Sequence, residues 1–271
     1  MARQPGVKLG GRGLGSGLLR AVGLLLLCGL SLQLYFVARI GLMAVVAPQS
    51  TTFQRSEIRR LAVHKHPVAW SQAWVDDSRI ADNLKRAVIA SEDAGFIEHS
   101  GVEWDALEKA WEKNQRAEAA AERRQAQIDK RPAAAAAAGA RLRPVVEPKL
   151  VGGSTISQQL AKNLFLSGER TALRKAQEFV LTLTLEALLG KRRILEIYLN
   201  NVEWGEGIFG AQAAARYYFR TDAARLDSAA AARLAVMLPA PKRFEKNPGS
   251  AYVSGRAATI SARMGAVALP R

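Results

Sequence analysis

From Ala21 to Ala38 the chain runs 18 residues without a charge, AVGLLLLCGLSLQLYFVA. Leu18 and Leu19 extend the run before Arg20, and Ile40 to Ala47 continue it beyond Arg39. A bilayer core takes about 20 apolar helical residues at ~1.5 Å each. The run therefore fits a single transmembrane helix over 18–40, with Arg39 reaching back to the interface. Arg3, Lys8, Arg12 and Arg20 precede it, and the first acid is Glu57. Positive charge on that side keeps a basic tail, 1–17, in the cytoplasm and exports the remainder. A cleaved signal peptide ending at Val45-Val46-Ala47 is the competing reading, but the run is long for such a segment. A buried core helix is out of place directly behind four basic residues.

The remaining chain is long enough for a real core: 271 residues correspond to one or two domains. Lys and Arg number 39 against 24 acids, a net charge of +15. Such an excess suits nucleic acid, an anionic bilayer or a phosphorylated lipid. Export leaves little access to nucleic acid. The single cysteine, Cys28, excludes a disulfide framework and a zinc ribbon. His64, His66 and His99 are too few and too poorly spaced for a typical histidine metal site, so none is expected.

Residues 41–77 hold Pro48, Pro67 and a Ser/Thr cluster, and read as a linker and entry segment before a domain over 78–271. Asp77 or Ser78 is positioned to cap a helix carrying Ile80, Leu84, Ala87, Val88 and Ala90. A further helix is expected through Leu107 and Trp111. Residues 115–151 then turn alanine-rich and charged, with Pro132, Pro144 and Pro148. They read as a low-complexity insertion, helical only in part. After Gly152-Gly153, Thr155 and Gln158 have capping-box spacing, and Ile156, Leu160 and Leu164 recur every four residues. Thr171 starts a helix stopped by Gly190. Lys191 to Val202 forms another, with Ile194, Leu195, Tyr198, Leu199 and Val202 on one side. An alanine-rich helix spans 223–237, and Pro239 and Pro241 follow it. No strand alternation of any length is present, so the exported part is expected to be mainly α.

Four segments place polar groups where apolar helices are otherwise uninterrupted. In the first, Glu92-Asp93 follows an apolar helix, with Phe96, His99 and Gly101 behind. Acids at a helix C-terminus oppose its dipole, which suggests the edge of a site; a solvated helix end is the plain alternative. In the second, Gln159 and Lys162 lie at i,i+3, off the apolar face. A capped surface helix explains this segment equally well. In the third, Arg174, Glu178, Thr182 and Glu186 form an i,i+4 stripe with Lys175 beside it. A carboxylate on so apolar a helix requires pairing, whether for structure or for function. In the fourth, Glu196 and Asn200 are again i,i+4.

In this order, Glu92-Asp93-x-x-Phe96-x-x-His99-x-Gly101, GGSTISQQLAKNLFL, RKxxE and KxxILExYLNNVxWG resemble the peptidoglycan glycosyltransferases of family 51, the lipid II polymerases. The resemblance covers about residues 67–264. It is greatest to the monofunctional biosynthetic transglycosylases, since the chain contains no Ser-x-x-Lys or Lys-Thr-Gly of a transpeptidase. It implies a lysozyme-like, two-lobed helical domain with a cleft. It implies Glu92 as catalytic base and Glu178 as the second acid. It implies Thr155, Gln159 and Lys162 along the cleft, Arg174 and Lys175 at the pyrophosphate, and Asp93, Phe96, His99, Glu196 and Asn200 in the substrate-binding motifs, with a structural role equally open for Glu196 and Asn200.

The implied substrates are lipid II and the growing glycan chain, at the inner membrane of a bacterium with the domain in the periplasm. Other cell-wall synthesis and division proteins are the implied partners. No cofactor is required, though a divalent cation, Mg or Mn, could assist at the pyrophosphate. The chain departs from the family in its 115–151 insertion and in Ala240, where Leu-Pro-Asn-Pro is usual. A glycan-cleaving lytic enzyme would have no use for the Lys/Arg cluster. A catalytically silent membrane-anchored scaffold would be expected to have lost Glu92 or Glu178.

Overall fold

The computed structural model describes residues 13–64, 69–129, 153–166, 168–169 and 171–271. The chain divides into two compact units, 1–46 and 47–271. The first contains helix α1, Gly13–Leu42, two residues longer than the expected span at its C-terminal end. Its portion Gly17–Leu42 is long and apolar enough to cross a membrane. Near its end Arg39 donates to the Tyr35 hydroxyl at 2.8 Å, giving the charge a polar partner beside the apolar run.

The second unit is mainly helical, as expected. Its helices are α2 (Thr52–His64), α3 (Asp82–Glu92), α4 (Trp104–Asp129), α5 (Ile156–Phe165), α6 (Ala172–Leu188), α7 (Lys191–Asn201), α8 (Ala211–Phe219), α9 (Ser228–Met237), α10 (Pro241–Phe244) and α11 (Ala251–Met264). Helices α3, α9 and α11 pack on one another through Leu84, Val88, Leu234, Val253 and Ile260, all buried. Helices α2, α6 and α7 pack against α5, whose Ile156, Leu160 and Leu164 are buried. The period-four pattern of α5 thus faces a core, and the capping box forms: Thr155 accepts from Gln158 N while the Gln158 side chain accepts from Thr155 N.

A small sheet of β1 (Ser71–Gln72), β2 (Glu203–Gly205) and β3 (Ile208–Phe209) has the order β1-β3-β2. Ser71 lies opposite Ile208 in the parallel pair, and Glu203 opposite Phe209 in the antiparallel one. Strands of two or three residues cannot display alternation in sequence. Gly207 turns between β2 and β3 with φ +74°, and a Cβ there would lie 2.1 Å from the Ala69 carbonyl oxygen.

Three expectations need correction. Residues 51–64 and 69–77 belong to the folded domain and are not a linker. Helix α2 buries Gln54, Glu57 and Leu61. Gln54 donates to Asn201, and the Thr52 hydroxyl donates to the Leu164 carbonyl at 2.9 Å. Its buried face is largely polar, so hydrophobic periodicity carried no signal. Neither Asp77 nor Ser78 caps α3, which begins at Asp82 after a 3-10 turn, Asp77–Arg79. The Asp77 carboxylate instead meets Lys85 at 2.9 Å and Arg192 at 2.7 Å. The alanine-rich helix starts at Ser228, capped by Asp227, after a separate turn at Ala223–Arg225. Of the insertion, 115–129 continues α4 as regular helix, while 130–151 lies outside the described residues.

Candidate active site

Glu92 ends α3, and the chain leaves the helix at Asp93, whose φ of −163° and ψ of 72° are no longer helical. The next nine residues loop back onto the start of α5. Asp93, buried, fixes that loop: its Oδ2 accepts from Ile156 N at 2.9 Å, at the positive end of α5. Its Oδ1 accepts from His99 Nε2 at 2.8 Å. Gly101 N donates to His99 Nδ1 at 3.1 Å, which places the histidine proton on Nε2, toward Asp93. The Thr155 hydroxyl, already the cap of α5, donates to the Gly101 carbonyl at 2.6 Å. Asp93, His99 and Thr155 thus weld the first motif to the second.

Gly101 is required at this junction. Its φ is +91°, and a Cβ would lie 2.8 Å from Glu186 Cγ and 2.9 Å from Thr182 Cγ2. Gly101→Ala is expected to destabilise the domain by about 2–4 kcal/mol, combining backbone strain and overpacking. A thermal midpoint unchanged from wild type would contradict this.

The loop leaves Glu92 half-buried at the site, with one strong hydrogen bond among the described residues. Gln159 Nε2 donates to Glu92 Oε2 at 3.0 Å. Burial raises the Glu92 carboxyl above its ordinary value; the Gln159 and Ser91 hydrogen bonds oppose the rise, and the Asp93 charge adds to it. Tyr198, on α7, donates its hydroxyl to Gln159 Oε1 at 2.9 Å.

One turn along α5 from Gln159, a cavity of about 620 Å³ opens, lined by Gln159, Lys162, Arg174, Lys175 and Glu178, with Glu57 from α2. Glu178 is buried and doubly paired, to Arg174 at 3.1 Å and Lys175 at 2.5 Å. Arg174 Nε is buried without an acceptor among the described residues, so Glu178 does not exhaust the guanidinium's donors. Lys162 reaches the open side of the cavity, yet surrounding protein atoms lower its pKa below the ordinary lysine value. Glu178 opposes that fall, and Arg174 and Lys175 add to it. Two further acids, Glu57 and Glu169, line the cavity; Glu57 is paired with Arg60 and Lys242, and Glu178 with Arg174 and Lys175, so Lys162 is the cation there that a bound anion could meet most directly.

Several expected residues lie elsewhere. Phe96 is fully buried, with the Lys191 ammonium 4.5 Å from its ring centre. Thr155 is also buried and fully engaged. Glu196 accepts from Asp77 N at 3.1 Å and Arg193 at 2.7 Å. Asn200, fully buried, brackets Val75, accepting from its N–H and donating to its carbonyl, each at 2.9 Å. Phe96, Thr155, Glu196 and Asn200 are thus engaged by the scaffold and are not among the residues lining this cavity; for Glu196 and Asn200 this is the structural role that the sequence left open.

Two residues have partners that the sequence does not mark. Tyr198 lies on the apolar side of its helix, and a phenol does not reveal its hydroxyl's partner. Glu186 accepts from Ser157 and from Lys191 (2.7 Å to the latter), clasping α5, α6 and α7 behind the site. The stripe containing Glu186 is visible in sequence, but its two partners are not. Asp93, His99 and Glu103 bring ligand-type atoms within 4.8 Å of one another, the one such group found among the described residues. Both Asp93 oxygens are already bonded within the protein, which makes the Asp93–His99 pair a structural clasp.

The transglycosylase family matches residues 60–124 and 132–265, spanning the loop, α5 and the cationic cavity. The chain is 45% identical over 242 residues to the biosynthetic peptidoglycan transglycosylase of Paraburkholderia phytofirmans, covering 89% of this chain and 88% of that protein. It is 48% identical over 241 residues to the protein of that name from Burkholderia thailandensis, covering 89% and 83%. For the Herminiimonas arsenicoxydans protein of that name the figures are 46%, 89% and 92%. The extent of the family match and these identities together establish that the chain belongs to the transglycosylase family.

Proposed function

We propose that this protein is a peptidoglycan glycosyltransferase that polymerises lipid II into β-1,4-linked glycan and releases undecaprenyl pyrophosphate. One observation carries the reading: α5 presents Gln159, bonded to Glu92, one turn from Lys162 at the cationic cavity. A proton acceptor and an anion receptor thus share one wall. The names of the relatives support peptidoglycan as the product.

The chemistry follows from the residues. The donor is a glycan chain α-linked to undecaprenyl pyrophosphate, and the acceptor is the 4-hydroxyl of the next lipid II. That oxygen forms a bond to the anomeric carbon while the bond to pyrophosphate breaks, inverting the centre. Glu92 takes the hydroxyl proton, and its raised pKa makes it the stronger base once ionised. Lys162, Arg174 and Lys175 stabilise the charge that develops on the leaving pyrophosphate. Glu178 holds Arg174 and Lys175 in place. A divalent cation could enter with the pyrophosphate itself, and no step is assigned to one.

Helix α1 anchors the chain in the cytoplasmic membrane, where both lipid substrates reside. The basic residues before it orient the N-terminus to the cytoplasm and the domain to the periplasm. Within these residues no transpeptidase motif accompanies the cavity, and the activity proposed is polymerisation without cross-linking. Other cell-wall synthesis and division proteins are the partners such an activity would meet there.

Purified protein incubated with lipid II in detergent is expected to yield a ladder of glycan on a denaturing gel. Absence of polymer beside a working control polymerase would overturn the proposal.

A further inference from the structure

Tyr198 is buried on α7, and its hydroxyl reaches the site through Gln159 alone among the contacts described. A side-chain amide can face Glu92 either way round, with its NH₂ or with its oxygen. Only the NH₂ face can bond an ionised carboxylate. The oxygen face would favour the protonated acid, which alone could donate to it. Gln159 is held in the first orientation from two directions. Its oxygen accepts from Tyr198 at 2.9 Å, and its nitrogen has a second, weaker acceptor in the Ser154 carbonyl at 3.4 Å. Flipping the amide would set two oxygens against each other at Ser154 and leave the phenol proton without an acceptor.

We propose that Tyr198 is a positioning residue for glycosyl transfer, one that locks the Gln159 amide so that it donates to Glu92 and keeps that base ionised and aimed. The inference rests on the reading of Glu92 as the base. Burial, together with the charges of Glu92 and Asp93, lifts the phenol well above its ordinary pKa, so Tyr198 remains a protonated donor throughout the working range. The other ionisable groups around Glu92 are few. Asp93 adjoins it with its His99 partner. Lys162 stands one turn beyond Gln159 on α5, with Arg174, Lys175 and Glu178 across the cavity on α6. Arg263 of α11 reaches the outer side of the loop, beside Ala90 and Glu98.

The test is the pH profile of kcat/KM with lipid II for wild type, Tyr198→Phe, Gln159→Leu and the double variant. Phenylalanine preserves the ring and its packing. Both single variants are expected to move the acid limb to higher pH, and the double variant no further than Gln159→Leu. Below the limb, Tyr198→Phe should lose roughly two- to tenfold more activity than above it, the value of one hydrogen bond. An acid limb unmoved in Tyr198→Phe, with activity lowered equally at every pH, would reduce Tyr198 to core packing and overturn the inference. Should Tyr198→Phe fold poorly, a fluorotyrosine at position 198, with a stronger donor, is expected to move the limb to lower pH; no movement would overturn the inference equally. Glu92→Gln separates the two claims. If it stays active, the base assignment fails; if it is inactive while the limb of Tyr198→Phe stays put, the Tyr198 inference alone fails.

Discussion

Glu92→Gln is expected to lower kcat for lipid II polymerisation by roughly 10²–10⁴-fold, the usual contribution of a general base. Glutamine is nearly isosteric, and its amide oxygen can still accept from Gln159, so the loop and α5 should keep their places. It cannot, however, take a proton from the acceptor hydroxyl. The thermal midpoint should therefore change far less than the rate. Retention of more than about a tenth of wild-type activity would require another base, since such a loss falls below the range for general-base catalysis. The wild-type pH profile has a defined sign. Because burial raises the Glu92 pKa, its carboxylate is lost at a higher pH than that of a free glutamate. Activity should thus fall as pH drops through the raised value, and Glu92→Gln should lack that limb.

The second large effect concerns the cations. Lys162→Ala is expected to lower kcat/KM by roughly 10–150-fold, the equivalent of one charge-assisted contact of about 1.5–3 kcal/mol. Arg174→Ala should cost more, since it also strips buried Glu178 of one of its two partners. Arg174→Lys should recover only part, because lysine lacks the planar fork. Arg123, exposed on α4 away from the cavity, serves as control, and Arg123→Ala should change little. If Arg123→Ala proved as damaging as Lys162→Ala, positive charge would be acting through general attraction to the membrane, and the cavity would lose its assigned role.

Sequence patterns revealed those parts of the molecule whose causes are local. The Thr155–Gln158 capping box and the Thr171 cap depend on residues three apart, and both form. The pairing of Glu178 with Arg174 and Lys175 follows from one helical turn, and both ion pairs are present. What local pattern could not show is which long-range partner a polar group finds. Glu196 and Asn200 share a helix face with correct spacing for a site, yet they bind the backbone at Asp77 and Val75, more than a hundred residues away in sequence. Helix α2 shows no apolar stripe because its buried face uses Gln54 and Glu57, which reach Asn201 and Lys242 on other elements, Glu57 pairing with Arg60 of α2 as well. Ala240 is instructive in the opposite sense. It occupies the N-cap of α10 with no side-chain hydrogen bond. An asparagine there, which the family resemblance implies, has the side chain to supply one, so the departure falls at a helix end.

The central claim is that one carboxylate and a cationic cavity displace pyrophosphate directly from an α-linked donor. The anomeric configuration of the new linkage tests it most directly. NMR of glycan made by the purified protein from α-linked lipid II should show β-1,4 linkages throughout, the outcome of a single inverting displacement. Linkages that retained the α configuration would require a covalent glycosyl-enzyme and a nucleophile, and would contradict the role given to Glu92.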